Sequence, residues 1–239
     1  MSLHFKTTGW SRSSIKTGWF VNSLPNGLIA QLAPLDQALL LRNAQLIRFK
    51  AGDVLAVPHL ETPHIYFLTR GSVALFVGKK PKDIHTGLAV GLVGAEGALD
   101  LQLALNLGLS SLTFIAQSPG TAYAVDASLA QRLVRRKAAL LLTFARYLWT
   151  EYESVANLAA LSHTQDIRKR LAHWLLLSAQ RCAPDALMLT RAHIAHMLGV
   201  RRASISMAAR DMKMAGLIDY SRGHLQLKKP EALQRLACG

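Results

Sequence analysis

The apolar positions of this 239-residue chain change their spacing from one stretch to the next. Residues 1–24 show no period, and Pro25-Asn26-Gly27 closes them with a turn signal, so they are expected to form an N-terminal arm. Leu32, Leu35, Leu39 and Leu40 share a face at helical spacing and predict a short helix within Gln31–Arg42. From about Gln45 to Val125 the texture becomes short apolar runs cut by Gly, Pro and Asp. Ile65-Tyr66-Phe67-Leu68 stops at Thr69-Arg70-Gly71, and Val73-Ala74-Leu75-Phe76-Val77 stops at Gly78-Lys79-Lys80-Pro81. Leu88–Val93 and Leu112–Ala116 continue the series. Runs of this length without helical crossovers predict a small β-barrel or sandwich over 25–126, not a parallel sheet. One helical insertion is expected at Gly97–Leu107, which is rich in Ala and Leu.

Residues 127–160 read as one long helix. Leu129, Leu133, Leu140, Phe144, Leu148, Val155 and Leu158 recur at steps of three, four or seven, with no Gly or Pro between them. A long amphipathic helix needs a cover for its stripe. A twin helix across a two-fold axis is the expected cover, with Leu133, Leu140, Phe144, Leu148 and Val155 as its seam. Packing on the chain's own β-domain competes for the same stripe, and both covers are expected together.

The last piece, residues 161–239, reads as a winged helix-turn-helix. Thr190 is an N-cap residue, and Arg191–Leu198 follows as a short helix with Ile194, Ala195 and Leu198 on one face. Gly199 supplies the tight turn and Val200 plugs it. A second helix is expected from about Arg202 to Ala215, inward through Ile205, Ala208 or Ala209, and Met212. Gly216 ends it, and Tyr220–His224 tips a hairpin between two short apolar runs. In such a unit the second helix enters the major groove. Arg202, Ser206 and Arg210 lie on one face, with Met207 beside them, and Arg201 and Ser204 lie at its start. These six are the candidates for base readout, with Arg202 first because a guanidinium reads guanine bidentately. Thr190, Arg191, Tyr220, Arg222 and His224 are the candidates for the DNA backbone.

Charge sharpens this picture. Lys and Arg number 28 against 14 Asp and Glu, and the pI is about 10.3. Residues 162–239 hold 13 of the basic and 5 of the acidic side chains, so the excess concentrates where a nucleic-acid partner would sit. Apolar runs such as Ala138–Leu142 are too short to span a bilayer, the start of the chain lacks a signal-peptide core, and Cys182 and Cys238 make no disulfide framework. A cytoplasmic protein, not a membrane protein, is expected.

The segment from Leu189-Thr190-Arg191 through Leu198-Gly199-Val200-Arg201-Arg202 to Gly216-Leu217-Ile218 resembles the Crp/Fnr transcription regulators. His163–Leu176 is similar to the helix that leads into their DNA-binding domain. Phe49–Asp53 and Tyr66–Val73 resemble turns of their cyclic-nucleotide-binding β-roll. The resemblance implies an α+β chain: a jelly-roll-like double-stranded β-helix over 25–126, a dimerisation helix over 127–160 and a winged helix-turn-helix over 161–239. It also implies a homodimer on palindromic double-stranded DNA and RNA polymerase as a further partner.

Gly94-Ala95-Glu96-Gly97 resembles the family's phosphate loop, and with Ser110 and Ser111 it marks the possible effector pocket. Cyclic-AMP-binding members follow that loop with an Arg-Ser pair. Here Leu109-Ser110-Ser111-Leu112-Thr113 has no arginine, and no Lys or Arg occurs between Lys82 and Arg132. A buried phosphate without a positive partner costs several kcal/mol, which argues against cyclic AMP. An iron–sulfur cluster is excluded because the first 181 residues hold no cysteine. Haem would need axial ligands, for which His59, His64 and His85 are candidates by residue type alone. Where cyclic-AMP-type members have Arg-Glu-Thr on the recognition helix, this chain has Arg202-Ala203-Ser204, so a different DNA site is expected.

Other chemistry finds little support. His193 and His196 have a zinc-like spacing on an otherwise ordinary helix, and no metal is predicted. No phosphate-cradling Gly-Lys-Ser motif and no Gly-x-Ser-x-Gly elbow occur, so no enzyme is expected. No cofactor is predicted, and the effector is left open. A small-molecule or haem-sensing β-domain with DNA binding only as its readout is one alternative, and an effector-independent regulator is the other. Leu99–Leu109 fits either an apolar pocket or a self-filled core.

Overall fold

The computed structural model describes residues 25–58, 63–78, 87–181, 187–221 and 224–238. The arm expected over 1–24 lies outside them. Two helices come first, α1 (Gly27–Ala30) and α2 (Pro34–Leu41). The fully buried Asn26 anchors them. Its Oδ1 accepts from the Ile29 amide at 2.9 Å, and its Nδ2 donates to the carbonyls of Leu68 and Gly97 at 2.7 and 2.8 Å. The helix predicted within Gln31–Arg42 starts later because Pro34 fits best in a first turn. Leu35 faces solvent, whereas Leu28, Ile29, Leu32 and Leu40 are buried.

The β-domain has eight strands: β1 (Gln45–Phe49), β2 (Val54–Ala56), β3 (His64–Arg70), β4 (Val73–Val77), β5 (Leu88–Val93), β6 (Ala98–Leu99), β7 (Thr113–Ala116) and β8 (Gly120–Asp126). They form two antiparallel sheets, β1-β8-β3-β6 and β2-β7-β4-β5. The near-continuous apolar runs of β3 and β4 now have a cause, since both faces of each strand are buried. Tyr66, Leu68, Val73 and Leu75 pack between the sheets with Phe49, Val93 and Phe114. Ile65 and Phe67 face outward, into a layer of helices. Ala74 and Phe76 face the opposite way, into the C-terminal domain.

The insertion predicted at Gly97–Leu107 is strand β6 followed by a 3-10 turn, Leu101–Leu105. Leu99, Leu101, Leu103 and Ala104 fill the core, while Leu107 and Leu109 are exposed. The self-filled core is therefore the alternative realised along this stretch.

The long helix predicted over 127–160 is two helices, α3 (Ala127–Arg136) and α4 (Ala138–Thr164). Lys137 adopts extended φ,ψ of −135° and 95° between them, and its Nζ lies 2.5 Å from Oδ1 of the largely buried Asp36. The residues expected to form the dimer seam point inward instead. Leu140 is 1% and Phe144 0% exposed, both packed on the outer face of the β3 sheet, with Leu133 and Leu148 partly buried beside them. Val155 lies against Gly91 of β5. Leu140 and Phe144 are thus covered by the chain's own β-domain, while Leu133, Leu148 and Val155 stay partly exposed. A different face of α4 is open. Leu142, Ala145, Trp149, Tyr152 and Ala156 follow one another at steps of three and four along it, and the Trp149 and Tyr152 rings lie 5.4 Å apart.

The C-terminal domain comprises α5 (Ile167–Arg181), β9 (Leu187–Met188), α6 (Arg191–Met197), α7 (Arg202–Met214), β10 (Ile218–Ser221), β11 (His224–Leu227) and α8 (Pro230–Cys238). Its small sheet has the order β10-β11-β9. Leu171, Trp174, Ile194, Ile205, Met212 and Leu233 form its centre. No helix of the described residues is long and apolar enough to cross a membrane.

Candidate nucleic-acid interface

The helix-turn-helix is built from local rules. The Thr190 Oγ accepts from the His193 amide at 3.1 Å and caps α6, which leaves its hydroxyl proton free to donate outward. Gly199 has φ +63°, the left-handed conformation that the inter-helix turn demands. Arg201 occupies the N-cap position of α7. Ile205, Ala208, Ala209 and Met212 face the core, so α7 turns a fixed face to solvent. Arg201, Arg202, Ala203, Met207 and Arg210 are exposed on it, and Ser204 and Ser206 are half-buried at its edges. Met207 is 63% exposed.

The backbone candidates divide. Arg191 follows the Thr190 cap, and its guanidinium carbon lies 5.0 Å from the centre of the Tyr220 ring. The Tyr220 hydroxyl donates to the Leu189 carbonyl at 2.8 Å. Burial raises its pKa, while the nearby charges of Arg191 and Arg202 pull it down. The hydroxyl of Tyr220, a candidate phosphate ligand, thus has its one proton engaged within the chain. The ring is a platform under Arg191. His224 lies on β11, and Arg222 falls outside the described residues.

This platform has a measurable consequence. Tyr220→Phe keeps the ring and loses one hydrogen bond, so stability should fall by about 1 kcal/mol with DNA affinity retained. Tyr220→Ala removes the face that holds Arg191, and DNA affinity should fall several-fold, a cation–π contact being worth about 0.5–1 kcal/mol at exposed sites. Thermal unfolding and duplex titration separate the two effects. Equal affinity losses in both variants would reassign the hydroxyl to the DNA.

Residues 169–236 match the Crp-like helix-turn-helix domain family. No curated protein matches the sequence. Among solved structures, a Crp/Fnr-family regulator from Eubacterium rectale shares 17% identity over 90% of this chain and 99% of its own, with a TM-score of 0.69. FixK2 from Bradyrhizobium japonicum shares 14% identity over 82% of this chain and 98% of its own, with a TM-score of 0.69. A CRP-family regulator from Thermus thermophilus shares 20% identity over 80% of this chain and 96% of its own, with a TM-score of 0.65. The C-terminal domain is thus similar to the Crp-like helix-turn-helix family, and the chain as a whole shares its fold with solved Crp/Fnr-family regulators.

The candidate effector loop is enclosed by the protein itself. The Gly27 amide donates to the Ala95 carbonyl at 2.7 Å, so α1 seals one side. The Tyr147 ring of α4 lies against Gly97, where a Cβ would overlap its hydroxyl. That hydroxyl accepts from the Ala98 amide at 3.2 Å. Burial raises the Tyr147 pKa well above its ordinary value, and the Glu151 charge adds to the rise, so the phenol stays neutral. Glu96 bends back on its own loop: its Oε1 accepts from the Gly94 amide at 2.8 Å and from Nη1 of Arg181. Ser110 serves a local turn by accepting from the Leu112 amide at 3.0 Å, and Ser111 is exposed. Of the polar groups expected to line an effector pocket, Glu96 and Ser110 are thus engaged within the chain and Ser111 faces solvent.

Open space lies elsewhere. An apolar cleft of about 110 Å³ separates β5 from α4, α5 and α6, lined by Leu88, Val90, Leu158, Leu161, His173 and Met197 among others. Burial lowers the His173 pKa, which favours a neutral imidazole there. Of the haem candidates, His64 sits beside the Tyr66 ring on β3 at 6.2 Å, and His59 and His85 lie outside the described residues. His196 stacks on Phe76 at 4.9 Å. Among the described residues, no three His, Cys, Asp or Glu side chains come together to hold a metal ion.

Sequence reasoning missed Tyr147, Arg181, Trp149 and Tyr152. The two aromatics of the open face carried a signal: with Leu142, Ala145 and Ala156 they keep a heptad step that the inward stripe, sharing the same helix, obscures. Arg181 carried none, because its partners lie 85 and 30 residues away.

Proposed function

We propose that this regulator is a homodimer that reads palindromic double-stranded DNA with α7 of each protomer and takes no cyclic nucleotide at the Gly94–Gly97 loop. The observation that carries this reading is the exposed face of α7. Two arginines at its start, a third two turns on and a bare methionine stand on a frame fixed by a buried inner face. Arg202 reads a base edge, Arg201 a base or a phosphate, and Met207 a thymine methyl. Thr190 and Arg191 hold the backbone and fix the register. The open face of α4 supplies the dimer contact, through Leu142, Trp149 and Tyr152. RNA polymerase and a cytoplasmic setting belong to the same reading.

Exclusion of the nucleotide rests on charge and space. Glu96 is bound to Arg181, Tyr147 covers Gly97, and the segment after the loop offers no cation to a phosphate. The test is selection from random duplexes with and without cyclic AMP, at two salt concentrations. One palindrome should be enriched in both arms. Affinity that is uniform across sequences and merely salt-sensitive would overturn the reading, and enrichment in the nucleotide arm alone would overturn its effector clause.

A further inference from the structure

The DNA-binding domain is docked on the β-domain as well as joined to it by the chain. Trp174, Leu175 and Ile194 share one buried cluster with Ala74, Phe76, Ala89 and Leu92 of the β4–β5 sheet. Gln117 of the β-domain accepts from the Trp174 indole at 3.2 Å and donates to Ser178 of α5 at 3.3 Å. At the C-terminal end of α5, Nη1 of Arg181 donates both to Glu96 of the β5–β6 loop and to Glu151 of α4, the latter at 3.2 Å. The side chains of Arg181 and Glu151 are each only 14% exposed. Burial raises the Glu151 pKa, and Arg181 opposes that rise. The Arg181 backbone also crosses Gly94, where a Cβ would overlap its carbonyl oxygen. One guanidinium therefore joins the loop, the long helix and the DNA-binding domain. None of these docking residues belongs to the exposed face of α7, so the contact orients the reading surface without covering it.

We propose that Arg181 is a positioning residue for DNA readout, clamping the DNA-binding domain to the Gly94–Gly97 loop and to α4 so that the polypeptide alone sets the separation of the two recognition helices. The proposal rests on the dimer reading above. Once one half-site is bound, the second binds intramolecularly, and the gain depends on how closely the free domain is held at the required separation. Loosening Arg181 lowers that effective concentration and leaves each half-site contact as it was. Lysine restores the charge but not the planar fork, and so restores only part of the hold.

The test uses the full-length dimer, a duplex bearing the selected palindrome and a duplex bearing one half-site. The variants are Arg181→Lys, Arg181→Met and the double variant Arg181→Met with Glu151→Gln. The double variant removes both buried charges, so that the one carboxylate left without its partner is Glu96, whose side chain is 40% exposed to water. The two Met variants should lose on the order of tenfold or more on the palindrome, while half-site affinity stays within about twofold and Arg181→Lys falls between. Amide exchange over 89–93 and 171–178 should accelerate in the same order. Palindrome affinity unchanged in a folded double variant, or lost equally on both duplexes, overturns the clamp. If the wild type selects no sequence, the DNA reading fails by itself. The exchange measurement still decides the clamp, which unchanged protection at 89–93 and 171–178 would overturn.

Discussion

Lysine at both Trp149 and Tyr152 should convert the protein to a monomer at micromolar concentration. The two rings are 60% and 62% exposed on the open heptad face of α4, and a two-fold axis along that face doubles every contact. Counting about 1.5 kcal/mol for each ring buried by a partner, four rings contribute roughly 6 kcal/mol, so dissociation should strengthen more than a thousandfold. Four added charges along the seam act in the same direction. Neither residue belongs to the buried core, so the variant should fold, and sedimentation at several concentrations reads the outcome. The comparison is Leu140→Ala, which empties space beneath the same helix. It should lower stability by about 2–5 kcal/mol with the folded fraction still dimeric. A dimer that survives both lysines would place the interface away from this face.

Arg202→Ala should reduce affinity for the selected palindrome by roughly a thousandfold, at about 2 kcal/mol for a bidentate base contact in each of two half-sites. Binding to random duplex should change far less, so the ratio of specific to general affinity collapses. Arg191→Ala is the contrast, because a lost phosphate contact weakens all sequences alike and flattens the salt dependence. Titration of both variants against both duplexes at two salt concentrations distinguishes the roles. If Arg202→Ala weakens both duplexes equally, Arg202 grips the backbone and base readout passes to Arg201 or Arg210.

The helix-turn-helix was legible because its rules are local. Thr190 caps, Gly199 turns and Ile205 to Met212 keep a helical step, and each of these can be read within a few residues. The β-domain was legible as a class, since turn residues punctuate short runs, but neither strand order nor the burial of both faces follows from the runs alone. The break at Lys137 was hidden. No Gly or Pro marks it, and its anchor, Asp36, is about a hundred residues earlier in the chain. Which stripe of α4 the chain itself covers was hidden for a related reason. α4 carries two apolar stripes, and the larger residues Leu140 and Phe144 belong to the stripe that the chain covers itself. The Gly94–Gly97 loop stood out in the sequence by its resemblance to a phosphate loop, whereas the side chains packed on it, Tyr147 and Arg181, come from other elements.

The outer face of the β4–β5 sheet bears on how separable the two halves of this protein are. Ala74, Phe76, Ala89, Leu92 and Ile115 share one buried cluster with residues of α5 and α6. A fragment ending before α5 would expose that face as a contiguous greasy surface and should be prone to self-association. A chimera carrying another DNA-binding domain would inherit the same difficulty unless the graft reproduced the Trp174 and His196 surfaces. The boundary near residue 166 is therefore a seam in sequence more than a joint between independent modules, and an exchange between relatives should cut within the β-domain's partner surface as well as along the chain.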